Sequence, residues 1–270
     1  MIVKLFCCIK KLLDKPCGCA ILISVMTKDL LRFGFENAKL KGIWHFSLPS
    51  GYTCPGASGC LTYAIKETGK IKDGPNQNYR CYAAMDEARY PSVRRQRWHN
   101  FDLLNATKTI KTMVDLICES LPEAIKTVGG IMRVHIGGDF KTLNYMKAWL
   151  LVARKYPRSK FYAYTKSLKW LKACQDKNLI PDNFSFTQSW DGKYDDMIEG
   201  IGEKSARVFV DPDELKASGL EHDHDDSHAI HNKRGQDFAL HIHGSQPKGS
   251  KASAGLKKFD KVGIKGYTHK

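Results

Sequence analysis

The 270-residue sequence has no long unbroken apolar run. Its most apolar stretch, Met1 to Val25, is cut by Lys10, Lys11, Asp14 and Lys15. The pieces are too short to span a bilayer, and the same charges break the apolar centre that a secretory signal needs. Acidic side chains are also scarce, 28 against 43 Lys and Arg, for a formal net charge of +15. That balance favours anionic partners, either nucleic acid or an anionic small molecule, and no membrane is implied. An even set of cysteines is missing too: there are nine, at 7, 8, 17, 19, 54, 60, 81, 118 and 174. In a chain of this size without secretory marks, that count argues against a disulfide framework. Metal-binding cysteines in a reducing, cytoplasmic compartment fit better.

Apolar residues make up 42% of the chain and aromatics 10%, enough for a folded core. We read residues 1–26 as a poorly ordered leader, with Met26 as an alternative start. Residues 27–247 form a single α/β domain with a Cys-rich loop at 50–83, and 248–270 form a basic flexible tail. A short strand at Phe46–Pro49 delivers the chain into the cysteine loop. Lys66–Tyr79 is polar and reads as a surface excursion. Ser92 is the expected N-cap of a helix starting at Val93. Leu104, Ile110, Met113, Val114, Ile117 and Leu121 predict a helix over 101–121.

A regular pattern follows. Strands are expected at Ile131–Ile136, Lys160–Tyr164, Phe184–Thr187, Arg207–Val210 and Phe238–His243. Helices fall between them, one of them capped by Asp211 ahead of Pro212. Such units imply parallel strands with right-handed crossovers. Polar residues gather after nearly every strand, at the edge where α/β folds do chemistry. Five strands, with one more from the N-terminal part, predict a partial (βα) barrel preceded by the cysteine loop and helices.

Three constellations carry chemistry. Cys54, Cys60 and Cys81 lie in a Gly/Pro-rich loop able to wrap a metal or cluster. Three thiolates leave one iron of a four-iron cluster free of protein ligands. With His99 as a fourth ligand the same set becomes a closed zinc site, and a third reading leaves the cysteines buried and unliganded. The second constellation is Glu221–His228 with His231, His241 and His243. It reads as a solvated loop or a second metal site, and Asp225, Asp226 and His228 are acid/base candidates within it. The third is Arg89, Arg94, Arg95, Arg97 and Trp98. It suits phosphate contact and base stacking, or ion pairing with the carboxylates of 211–226. Arg133 and His135 share a strand face, and Asp139 is the nearest acidic partner in sequence for a buried Arg133.

The cysteine set on a partial barrel resembles, in architecture, the radical enzymes that cleave S-adenosylmethionine. Gly137-Gly138-Asp139 ends a strand where those enzymes place a Gly-Gly-Glu-like motif near the methionine amino group. The resemblance implies that Cys54, Cys60 and Cys81 hold a 4Fe-4S cluster, that Gly137, Gly138 and Asp139 seat the cofactor, and that Lys166 and Ser189 line the pocket. The chain departs from the usual Cys-x3-Cys-x2-Cys: five residues separate Cys54 from Cys60, and twenty separate Cys60 from Cys81. Phe46–Pro55, the Cys81-Tyr82-Ala83 step, His135–Phe140 and Phe161–Lys166 resemble a family of phage and mobile-element proteins labelled gene product 88-like. That resemblance runs from about Asn37 to Gln246. Members usually show Ser-Gly-Asp-Phe where this chain has Gly137-Gly138-Asp139-Phe140. It implies a phage origin, with the host cytoplasm as location, and no particular reaction.

The expectation is therefore an iron–sulfur enzyme acting on a nucleic acid or nucleotide-like anion, with Asp139, Lys166, Asp226 and His228 as catalytic candidates. The alternative is a zinc-stabilised nucleic-acid-binding protein without catalysis. A third reading is a phage accessory protein with buried cysteines.

Overall fold

The computed structural model describes residues 29–231 and 236–264; the expected leader at 1–26 lies outside them. The strands are β1 (Gly34–Phe35), β2 (Ile43–Phe46), β3 (Thr62–Ala64), β4 (Ile71–Asp73), β5 (Ile131–Val134), β6 (Lys160–Thr165), β7 (Phe184–Ser189), β8 (Ser205–Phe209) and β9 (Phe238–His241). Seven of them form one sheet in the order β1-β2-β5-β6-β7-β8-β9. Only β1 pairs antiparallel; every other neighbour is parallel. Among the described residues the sheet does not close into a barrel, because β1 and β9 are its two edges. The sixth parallel strand is β2, which ends at Phe46, three residues before the end expected for it. Beyond it Leu48 donates to the Gly137 carbonyl at 2.8 Å, so the chain stays beside the end of β5 as it enters the cysteine loop.

Parallel strands need cover on both faces, so their sequences read as nearly continuous apolar and aromatic runs. One face packs against the helices Ile110–Ser120, Leu143–Lys155 and Leu168–Gln175, burying Met132, Val134, Phe161, Ala163, Phe184 and Phe186 with Trp149, Met146 and Leu171. Thr142 starts the second of these helices by accepting from the Tyr145 amide. The other face carries Tyr162 with Leu40, Ile43, Ala229, Ile230 and Phe238, and is plugged by the short helix Ser227–His231.

Several local expectations are corrected. The helix expected over 101–121 is two helices, Pro91–Ala106 and Ile110–Ser120. The Thr107 hydroxyl turns back onto the Leu104 carbonyl, and Thr109 forms a capping box with Thr112. Such side-chain bonds compete with helix continuation and favour a fresh start. Tyr90, not Ser92, is the N-cap of the helix Pro91–Ala106, with Pro91 in its first turn. The Lys-rich tail contains a helix, Lys251–Lys261, that buries Ala252, Gly255 and Phe259. A Cβ at Gly255 would meet the Val210 carbonyl oxygen at 1.7 Å, so glycine permits that docking. Lys251 and Lys258 reach Glu214 and Asp211.

Candidate metal centre

The loop after β2 folds on its own turns. The Thr53 amide and hydroxyl both donate to the Pro49 carbonyl, the Ala57 amide donates to the Cys54 carbonyl, and the Gly51 amide donates to Cys54 Sγ at 3.3 Å. The twenty residues between Cys60 and Cys81 make the hairpin β3–β4. The Thr62 hydroxyl accepts from the Cys81 amide and from Gln77, while Asn78 and Tyr79 both donate to the Gly59 carbonyl. A long sequence gap therefore closes to a short distance in space. Cys81 then serves as N-cap of the helix Tyr82–Arg89.

The three thiols are half-buried as residues and sense one another's charge. Burial pushes Cys54 well up and raises Cys60, against the pull of Lys166. Burial pushes Cys81 up to about 11, although the amides of Ala83 and Ala84 oppose it. A metal bound there would have to displace protons, more readily as pH rises. Three thiolates can serve one ion or a cluster, and the two differ in how far apart they hold the sulfurs. A single tetrahedral zinc, with Zn–S near 2.3 Å, would hold them about 3.8 Å apart. A cluster interposes iron and sulfide between its cysteines and spaces them more widely. His99, weighed as the fourth zinc ligand, bonds the Leu30 carbonyl at 2.9 Å beside Lys66, Trp98 and Asp102.

The loop rests on the carboxyl ends of β5, β6 and β7. A Cβ at Gly137 would meet the Arg97 guanidinium and Ser50, and one at Gly138, where φ is +82°, would meet Thr53 and Leu48. A Cβ at Gly56 would meet the Lys166 carbonyl. The glycine pair thus lets the protein's own cysteine loop approach, at the place where the sequence reading expects a cofactor. Asp139 is 5% exposed. Its carboxylate accepts from Phe140 N and Thr165 Oγ1, both at 2.7 Å, and from Lys166 N at 2.9 Å. Burial raises its pKa while these donors lower it. Asp139 clamps the β5 and β6 ends together, and it is not the partner of Arg133. The buried Lys166 ammonium donates to the Trp190 carbonyl, and Ser189 stands half-buried one residue before it.

Arg133 instead pairs with Asp226, Nη1 to Oδ2 at 2.6 Å, and donates to the Tyr82 hydroxyl at 3.1 Å. Asp226 is fully buried and also takes Lys39 at 2.7 Å, Tyr162 at 2.9 Å and Tyr164 at 3.2 Å. Burial alone would raise its pKa, but Arg133 and Lys39 outweigh it and hold the carboxyl at about 2. A carboxylate so held is ionised at neutral pH and serves as the shared counter-charge of Arg133 and Lys39. His228 joins the edge of that network, Nε2 at 2.9 Å from Glu221 and Nδ1 at 3.8 Å from Asp223, whose carboxylate accepts from Tyr164 at 3.5 Å. Lys39, Tyr82, Tyr162 and Tyr164 were not singled out by the sequence. Alternation on β6 could have placed both of the last two on one face.

The arginine cluster divides. Arg94 and Arg97 are buried: Arg94 donates to the carbonyls of Lys66 and Glu87, and Arg97 to Ala83 O and Glu87 Oε1, both at 2.7 Å. They brace the cysteine loop, whose Ser50 amide donates to the same Glu87 carboxylate. Neither is open to a phosphate, and Arg97 pairs with Glu87 where carboxylates of 211–226 were the expected partners. Arg89 and Arg95 are exposed, and Trp98 is packed edge-on against Tyr52 and Phe101. Of the histidines in the second constellation, His243 packs against the Tyr82 ring with centres 4.3 Å apart.

No helix among the described residues is long and apolar enough to cross a membrane. No solved structure matches the chain. The Gene 88 protein of Mycobacterium phage D29 is 28% identical over 126 residues, 42% of this chain and 52% of that protein. The Gene 88 protein of Mycobacterium phage L5 is 30% identical over 90 residues, 32% of this chain and 38% of that protein. The alignments thus span about half the length of the first relative and less of the second. The family model described as Gene product 88 matches residues 25–258, so the chain belongs to that phage gene-product family.

Proposed function

We propose that Cys54, Cys60 and Cys81 hold an iron–sulfur cluster and that the chain is a cluster-dependent phage enzyme of the radical S-adenosylmethionine type. The observation that carries this is the order of parts along the sheet. Six parallel strands follow one another without reversal, as in a partial (βα) barrel. The cysteine loop follows the first of them, and Gly137-Gly138-Asp139 follows the second. That edge is where α/β folds place their chemistry. The donor set supports this reading: three soft sulfurs that sense one another's charge, the ligand type that clusters take.

When bound, such a cluster supplies an electron and one iron open to an amino-acid-like cofactor. The protein's own contribution is placement. Glu87 and Arg97 hold the loop from behind, the Thr62 hydroxyl holds Cys81, and Asp139 fixes the Thr165–Lys166 segment against Gly56. The Lys166 ammonium lies close enough to Cys60 to oppose the rise of its pKa. The net charge of +15, with Arg89 and Arg95 exposed, favours a nucleic acid or nucleotide-like anion as substrate. Iron content of anaerobically reconstituted variants tests the ligand set. Cys54→Ala, Cys60→Ala or Cys81→Ala should each lose the brown cluster, while Cys118→Ala and Cys174→Ala keep it. Retention of full iron by any of the first three variants would overturn the assignment.

A further inference from the structure

The segment after Gly219 returns to the sheet edge. His222 bridges Ala239 in parallel, the Asp223 amide donates to the Ala239 carbonyl, and the Ala239 amide donates to the Glu221 carbonyl. In such a pairing, opposed residues point to the same side and alternate residues share a face. His222 and His224 therefore stand on the side that also carries Ala239 and His241. His222 Nε2 is 2.9 Å from His241 Nδ1, and the His222 and His224 ring centres are 3.9 Å apart. One ligand nitrogen from each of the three lies within 4.8 Å of the others. His241 is held from behind by Phe259, at 5.3 Å between rings, on the docked helix Lys251–Lys261.

We propose that His222, His224 and His241 form a second metal site, for a borderline divalent ion of the zinc class, separate from the thiol centre. Three imidazoles suit zinc, copper, nickel or ferrous iron. A tetrahedral ion with metal–nitrogen bonds near 2.0–2.1 Å needs nitrogens about 3.3 Å apart, so the observed convergence needs little adjustment. His241 is buried and His224 exposed. The set has a fixed inner ligand and an outer one at the surface, which leaves a fourth position for water or substrate, as in catalytic zinc sites. The nearest competing cation is the Lys39 ammonium, whose charge acts on His222 and His241. It is balanced by the Asp226 carboxylate at 2.7 Å. Tyr82, which follows Cys81 in the chain, packs against His243 with ring centres 4.3 Å apart and planes tilted by 34°.

The test uses the full chain, stripped with a chelator and kept reduced, titrated with Zn²⁺ by calorimetry. His224→Ala removes an exposed ligand and leaves the fold intact; His241→Gln removes the inner one. Wild type should bind one more zinc than His224→Ala, or bind it more than about 100-fold tighter, beyond the 10–100-fold that loss of an outer-sphere partner costs. Because all cysteines are present in both proteins, zinc held by thiols cancels in the comparison. His241→Gln, if folded, should lose the same zinc. Equal stoichiometry and equal affinity in wild type and His224→Ala would overturn the site.

Discussion

The face of the sheet that meets Trp149 and the face that carries Arg133 come from the same strands but are built on different chemistry. On the first, Met132, Val134, Phe161, Ala163, Phe184 and Phe186 meet helix side chains, and stability comes from excluding water. On the second, Arg133, Tyr162 and Tyr164 surround Asp226, and burial is tolerated because each charge has a partner. On the first face a shortened side chain costs contacts and leaves a cavity. On the second, changing one partner leaves a buried ion short of compensation. That face also leads to the carboxyl edge, where the thiols and histidines lie.

Trp149→Ala should cause the largest loss, about 3–5 kcal/mol, because a fully buried ring leaves a cavity; urea unfolding measures it. Asp226→Asn should cost about 3 kcal/mol by taking the buried counter-charge from Arg133. Asp226 adopts φ +65°, which asparagine also tolerates. The substitution therefore isolates charge from backbone strain. If Asp226→Asn leaves the urea midpoint unchanged, the contrast between the faces fails.

Acid sharpens the same contrast. Asp226 titrates at about 2, below its ordinary 3.8, so its contribution is fully present above about pH 4 and is lost as pH falls through about 2. The amount is on the order of 2 kcal/mol. Urea unfolding of wild type and Asp226→Asn should show a difference that shrinks over that window. The smallest effect is expected on the first face: Thr109→Ala should cost about 1 kcal/mol by removing the capping box that restarts the chain at Ile110.

Much of the first face was legible in the sequence. Apolar spacing in 131–155 and 160–175 gave the strands and helices, since that pattern follows from water exclusion alone. The break at Thr107–Thr109 was not legible, because apolar spacing continues through it and only hydroxyl bonds to the backbone interrupt it. The second face was barely legible. Arg133 and Asp226 are 93 residues apart, and the nearer Asp139 drew the assignment. Arg94 and Arg97 looked like an anion surface because sequence shows charge but not the buried Glu87 and carbonyls that receive it. The cysteines were found from their residue type, yet the hairpin that joins Cys60 to Cys81 depends on Thr62, Gln77 and Asn78, polar residues that read as loop.

The central claim is that the three thiols at the carboxyl edge form a cluster site. Its most direct test is the iron and acid-labile sulfide content of anaerobically reconstituted wild-type protein, read with its absorption spectrum. About four irons per chain with the broad brown absorption of a 4Fe-4S centre is the predicted result. A colourless protein that binds no iron, or holds a single zinc on its cysteines, would contradict it.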